Sequence, residues 1–229
     1  MNAASPKVMV RASLGLLNLL VVLGVVLFGG AGTLRYPQAW TFLSVFGGSS
    51  LAITIYLVKR DPALLERRTR AGPTAEREGR QKLIQLVASL AFIGVILVPA
   101  LDRRCGWSRA PLAVVAAGEL AVAVGFFVVF LVFRENTYAS AVIEATAEQR
   151  VVATGPYAWV RHPMYAGAFV MLVGVPLALG SYWGLCAVVP LMASIVWRLL
   201  DEEAYLSKHL VGYDDYRKKI RYRLIPGVW

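Results

Sequence analysis

The stretch GPYAWVRHPMYAG, Gly155 to Gly167, sets Tyr157, Trp159, Arg161, His162 and Tyr165 around Pro163, directly ahead of a long apolar run. Pro163 suits the first turn of a helix, because its missing N–H would be unpaired there anyway. Arg161 and His162 then fall at a helix N-terminus, where backbone N–H groups and the helix dipole favour an anion. The Arg161 guanidinium adds a forked donor for a carboxylate or phosphate. The three aromatic rings can stack on a flat base or face a cation. At the far end of the apolar run stand Arg198, Asp201, Glu202 and Glu203. Arg198 and Glu202 are spaced i, i+4 and share a helix face, and carboxylates there can grip hydroxyls or an ammonium. A third group, Arg134-Glu135-Asn136-Thr137, closes an earlier apolar segment. The amide of Asn136 offers both donor and acceptor to a purine edge or a cofactor amide. Each group alone also has a plainer reading. The first is an interfacial anchor of Arg, Trp and Tyr. The second is a solvated helix end with an ion pair worth roughly 0–1 kcal/mol. The third is a helix C-cap.

Apolar helices must position these groups. The chain has 229 residues, 58% hydrophobic and 17% charged, and a mean hydropathy of +0.59. Soluble domains sit near 45–50% apolar and about 25% charged. Runs of the roughly 20 apolar residues that a span needs fill more than half of the sequence. An all-α polytopic membrane protein is predicted, with about five to six transmembrane helices. Four spans are expected at about 12–30, 40–58, 83–101 and 111–133. The first follows Lys7 and Arg11 as a signal peptide would, but it exceeds the roughly 7–15-residue core of one. A retained span is therefore expected, although Gly30-Ala31-Gly32 leaves cleavage possible. As a straight helix the apolar run Met164–Trp197 would measure about 50 Å, against a bilayer core of about 30 Å. It must break. Pro176, Gly180 and Gly184 predict the break, with Ser181-Tyr182-Trp183 at the turn. Two short helices in a tight hairpin would return Arg198 and the Glu pair to Arg161 and His162. Residues 1–133 thus read as four spans with a basic loop at 59–82. Residues 134–229 read as a catalytic region: a short helix near Val142–Gln149, the motif, the hairpin and an amphipathic basic tail.

The net charge of +10 does not point to nucleic acid, because the basic residues cluster between apolar runs. That is the positive-inside pattern, with anionic headgroups of the lipid bilayer as partners. The loop at 59–82 carries eight basic residues, and the tail carries Lys208, Arg217, Lys218, Lys219, Arg221 and Arg223. The loops they oppose carry only Arg35 and the trio Arg103, Arg104 and Arg109. Both termini and all three polar groups are therefore expected at the cytosolic face. Cys105 and Cys186 have no nearby Cys or His, so no metal site is predicted and free thiols are expected. Glu119 lies about 12 Å inside the fourth span, where a carboxylate is by default a functional hypothesis. Yet Asn136 is about 25 Å further along the helix. A structural pairing is expected instead, with Asn18 as a candidate partner.

GPYAWVRHPMYAG, an apolar hairpin, DEEAYL, GYDDYRKK and a final IPG together resemble the isoprenylcysteine carboxyl methyltransferase and phospholipid methyltransferase superfamily. The resemblance covers about Arg134 to Trp229. It implies an S-adenosylmethionine-dependent methyltransferase whose cofactor site faces the cytosol. His162 and Tyr165 would belong to the cofactor pocket, and Arg161, Gly155, Pro156 and Tyr157 would shape it. Glu202 and Glu203 match the family's paired Glu, and Asn136 lies where the family tends to carry a polar residue. Arg198, with Glu202, would act on the acceptor. That acceptor is expected to be an isoprenylcysteine-type carboxylate or a similar lipidic or small molecule. A phospholipid amine or a thiol is the alternative, and either would need a base such as His162 or a Glu. A related branch of membrane reductases shares an RHP-like element and uses NADPH; the paired Glu and the short chain favour the methyltransferase side. A non-enzymatic membrane scaffold is the third reading.

Overall fold

The computed structural model describes residues 5–69, 79–143 and 149–229. Its elements in chain order are α1 (Pro6–Ala31), α2 (Pro37–Arg60), α3 (Pro62–Thr69), α4 (Gly79–Cys105), α5 (Leu112–Glu135), a 3-10 turn at Gly155–Ala158, α6 (Pro163–Ala178), α7 (Gly184–His209) and α8 (Tyr213–Lys219). Among the described residues there is no strand. Pro6, Pro37 and Pro163 each open a helix in the first turn, where no N–H is missed. The predicted break falls where expected. α6 ends at Ala178, Gly180 adopts φ +76° and α7 starts at Gly184. Ser181 pins the turn: its N–H donates to Pro176 O at 2.8 Å, and its hydroxyl accepts from Gly184 N at 3.0 Å.

Among the described residues, α1, α2, α4, α5 and α7 are the five helices long and apolar enough to cross a bilayer. α6 has 16 residues, which at 1.5 Å per residue reach about 24 Å. Leu14, Leu17, Val21 and Val25 lie exposed along α1, a stripe that lipid covers and water would not. The chain is a polytopic helical membrane protein.

α5 and α6 pack antiparallel at very close range. Gly118 and Gly125 on α5 face Gly167 and Gly174 on α6. A Cβ on Gly125 would sit 2.6 Å from Gly167 O, and one on Gly174 would sit 2.8 Å from Gly118 O. Small residues that let backbones approach are the usual cement between membrane helices. Here the seam brings the C-terminus of α5 to the N-terminus of α6, so Asn136 comes beside the RHPMY element. α7 runs along α4, which in turn packs on α1.

The fold differs from the sequence expectation in two places. The second helix of the hairpin is not short: α7 has 26 residues, because the polar segment Arg198–His209 continues the apolar helix. The basic loop contains α3, whose Leu64 and Leu65 are buried. The helix expected near Val142–Gln149 falls largely on residues outside the described ones, and Val142, Ile143 and Gln149 themselves are not helical.

Candidate functional site

α5 ends, α6 begins and α7 ends on the same side of the bundle. Between them lies a cavity of about 350 Å³, lined by Asn136, Tyr157, Arg161, His162, Tyr165, Arg198 and Glu202 among others. The structure thus gathers seven of the ten residues singled out in the sequence. Gly155, Pro156 and Glu203 do not line it.

The three consecutive acids of α7 point three ways, as a helical advance of about 100° per residue requires. Asp201 turns to α4, where it accepts from Gln81 and pairs with Arg80 at 3.2 Å. Glu202 faces the cavity and accepts from Tyr165 Oη at 2.7 Å. Glu203 turns into the protein. Its Oε1 lies 2.9 Å from Arg161 Nε and 3.1 Å from His162 Nε2, and its Oε2 accepts from Arg223 Nε at 3.0 Å. Arg161, His162 and Glu203 are all buried. Of the two glutamates expected at the cofactor pocket, Glu202 lines the cavity, whereas Glu203 sits behind the wall and holds it together. A lone buried carboxylate would be costly, and three basic partners offset that cost.

The tail completes the clamp. Arg161 N donates to Tyr222 O and His162 N to Arg223 O, both at 2.9 Å. Tyr216 Oη donates to Tyr157 O at 2.8 Å. The backbone N–H groups of Arg161 and His162 are thus spent on the tail, not offered to an anion. Arg223, Tyr213 and Tyr216 escaped the sequence reading because nothing in their spacing ties them to a motif some sixty residues away. The signal for Tyr213 and Tyr216 was that GYDDYRKK belongs to the resemblance, and Arg223 stood only among the basic residues of the tail.

Asn136 caps α5, with its N–H donating to Val132 O at 2.8 Å. Its side chain donates to Tyr157 Oη at 2.9 Å and accepts from Tyr138 N at 2.9 Å. Asn136 is thus the C-cap of α5 and also lines the cavity. Burial pushes the Tyr157 phenol up to about 12, so it stays protonated at neutral pH. Gly155 has φ +56°, and a Cβ there would meet the Glu135 carboxyl at 2.9 Å. Gly155 and Pro156 lie outside the cavity lining and directly precede Tyr157 in the 3-10 turn. Trp159 is exposed and outside the cavity, so it serves no stacking role there. Arg198 donates to Gln81 Oε1 at 3.0 Å and to Ala141 O at 2.9 Å, which fixes its guanidinium at the cavity wall.

Glu119 lies far from this site. Its polar neighbour is Thr41 of α2, while Asn18 is exposed on α1, so the pairing with Asn18 does not form. Cys105 and Cys186 are both free and exposed. Among the described residues no group of His, Cys, Asp and Glu could hold a metal.

Comparison with known proteins bears on the region that carries the cavity. The phospholipid methyltransferase family model matches residues 113–211, which run from the start of α5 to just past α7. A protein-S-isoprenylcysteine O-methyltransferase of Schizosaccharomyces pombe is 39% identical over 77 residues. That match covers 31% of this chain and 30% of the yeast protein. The two findings together support the membrane methyltransferase superfamily for this chain, as the RHPMY element and the Glu pair had implied.

Proposed function

We propose that this chain is an integral membrane methyltransferase that uses S-adenosylmethionine at the cytosolic interface and acts on a lipidic acceptor, most favourably an isoprenylcysteine-type carboxylate. The observation that carries the reading is the cavity itself. It is small-molecule sized, since ligand pockets run from about 300 Å³ upward. It is also lined by RHPMY and Glu202, brought together from opposite ends of the hairpin.

The residues present fit the cofactor. Glu202 is the one carboxylate among the described lining residues and suits an ammonium. Arg68, Arg150 and Arg198 also line the cavity and suit a carboxylate. Tyr138 and Tyr157 offer flat faces to an adenine. Tyr213 is buried at the wall with its hydroxyl unpartnered among the described residues, as a group awaiting a ligand would be. S-Adenosylmethionine, when bound, supplies a methyl group activated by its sulfonium. The protein's part is positioning. Glu203 locks Arg161 and His162, Asn136 locks Tyr157, and Tyr165 fixes the rotamer of Glu202. Holding two reactants in near-attack geometry lowers a barrier without proton transfer. A carboxylate acceptor, already ionised, needs no base. That suits a site where His162 Nε2 is occupied by Glu203.

An apolar groove of about 440 Å³ between α1 and α4 supports a lipidic acceptor. Gln85 borders both this groove and the polar cavity, so a chain in the groove could present its head to the site. The cytosolic placement rests on the excess of Lys and Arg in the 59–82 loop and the tail. Titration of the purified protein in detergent with S-adenosylhomocysteine, S-adenosylmethionine and NADPH tests the reading. Binding of the first two and not the third is expected. Binding of NADPH alone would move the chain to the reductase class.

A further inference from the structure

The cavity has a wall that the family comparison does not cover. α3 precedes residue 113, where the match begins, yet its Arg68 lines the cavity. Arg68 is held in place rather than mobile. Its Nη1 donates to Ser140 O at 3.1 Å and lies 3.9 Å from Met164 Sδ. Its guanidinium carbon sits 5.1 Å above the centre of the Phe133 ring. An arginine has five N–H donors in a rigid fork. Among the described residues, neither Nη2 nor Nε of Arg68 has an acceptor, and no carboxylate pairs with it.

Among the described lining residues, Arg68, Arg150, Arg161 and Arg198 stand with one carboxylate, Glu202. Arg161 is neutralised from behind by Glu203. Arg68 and Arg198 face the same space, and Glu202 is the one carboxylate among the described residues there. Burial, with Arg198 adding to it, holds the Arg68 guanidinium below the ordinary arginine range, against the pull of Tyr165 and Tyr157. A carboxylate entering the cavity would find at Arg68 N–H donors that no described residue occupies. The planar fork of an arginine matches a carboxylate in two parallel hydrogen bonds.

We infer that Arg68 is the carboxylate-binding residue of this cavity, supplied from α3. The inference rests on the methyltransferase reading, which offers two sources of a carboxylate: the methionine moiety of the cofactor and the free acid of the acceptor. Both present the same group to the same fork.

The test uses the full chain in detergent with wild type, Arg68→Gln and Arg68→Lys. The ligands are S-adenosylhomocysteine, its decarboxylated analogue, a prenylcysteine free acid and the methyl ester of that acid, each titrated by calorimetry. Thermal unfolding of each variant without ligand shows that it is folded. If the cofactor supplies the carboxylate, Arg68→Gln weakens S-adenosylhomocysteine about 10- to 100-fold and leaves the decarboxylated analogue unchanged. If the acceptor supplies it, S-adenosylhomocysteine is unchanged, and the free acid weakens by that factor while the ester does not. In either case Arg68→Lys retains part of the affinity. Equal losses for ligands with and without the carboxylate, or no loss for any ligand, would overturn the inference while leaving the methyltransferase reading intact. A wild-type chain that binds no adenosyl ligand would instead remove that reading, and this inference with it.

Discussion

The two ends of the helical bundle hold similar side chains and use them differently. At the end away from the cavity, Asp102 is buried and accepts from Ser108 N and Ser108 Oγ, both at 2.6 Å, and from the Ser181 hydroxyl. Tyr36 Oη donates to Leu179 O at 2.6 Å. These contacts tie the α4–α5 loop and the start of α2 to the turn between α6 and α7. The knot is closed, and its carboxylate is spent on the protein itself. At the other end Glu203 is closed in the same way, but one residue earlier Glu202 opens onto a cavity with Arg68 and Arg198 across it. A buried carboxylate is therefore no sign of a site. What separates the two ends is a polar space that the protein's own groups leave unfilled.

Removal of the Glu203 carboxylate should break this comparison most severely. Glu203→Ala leaves Arg161, His162 and Arg223 facing one another in a buried setting. Breaking a buried pair by deleting one partner costs about 3–5 kcal/mol. Thermal unfolding in detergent should fall sharply, and affinity for S-adenosylhomocysteine should be lost with it. A variant with normal stability and normal affinity would show that the Arg161–His162 clamp is dispensable.

Asp102→Ala should come next, and at the opposite end. It strands Ser108 N, whose lost hydrogen bond costs about 1–3 kcal/mol. Stability should fall while affinity for S-adenosylhomocysteine in the remaining folded protein holds. A drop in affinity beyond about threefold would mean that the α6–α7 turn is coupled to the cavity through the hairpin, and the two ends would no longer count as separate.

Glu202→Gln reverses that pattern. The Tyr165 hydroxyl keeps an acceptor in the amide oxygen, so stability should change little. An ammonium in the cavity would lose its charged partner, and affinity for S-adenosylhomocysteine should fall about 10-fold or more. Calorimetry against the analogue lacking the amino group checks the cause: that ligand should be insensitive to the substitution.

The helices were legible in the sequence because apolar length and the Pro and Gly stops are local signals. Pro163 opening α6 and the break at Gly180–Gly184 needed nothing else. The pairing of Arg198 and Glu202 with RHPMY was legible too, since a hairpin leaves few other places for them. The division of labour within the Glu pair was not. It depends on the rotation of α7 about its axis, which packing against α4 and the tail decides. Arg68 was invisible for another reason. It lies among eight basic residues of the 59–82 loop, and their count speaks only to topology. Only the folding of α3 under the end of α5 distinguishes Arg68 from Arg67, which donates instead to Thr137.

Glu119→Gln should have the smallest effect, and it tests the comparison from the middle of the bundle. Glu119 lies one residue from Gly118, and a Cβ on Gly118 would strike Ala178 N at the far end of α6. The cavity begins at Asn136, about 25 Å further along α5 at 1.5 Å per residue. Both Glu119 oxygens are buried and lack hydrogen-bond geometry with any described residue. A carboxyl so placed contributes no bond that an amide of the same shape would lose, and the amide removes a group costly to ionise there. Stability in detergent should therefore be equal or higher, with S-adenosylhomocysteine affinity unchanged. A marked loss of affinity would place a functional carboxyl deep inside the membrane span and extend the site well below the helix ends that now bound it.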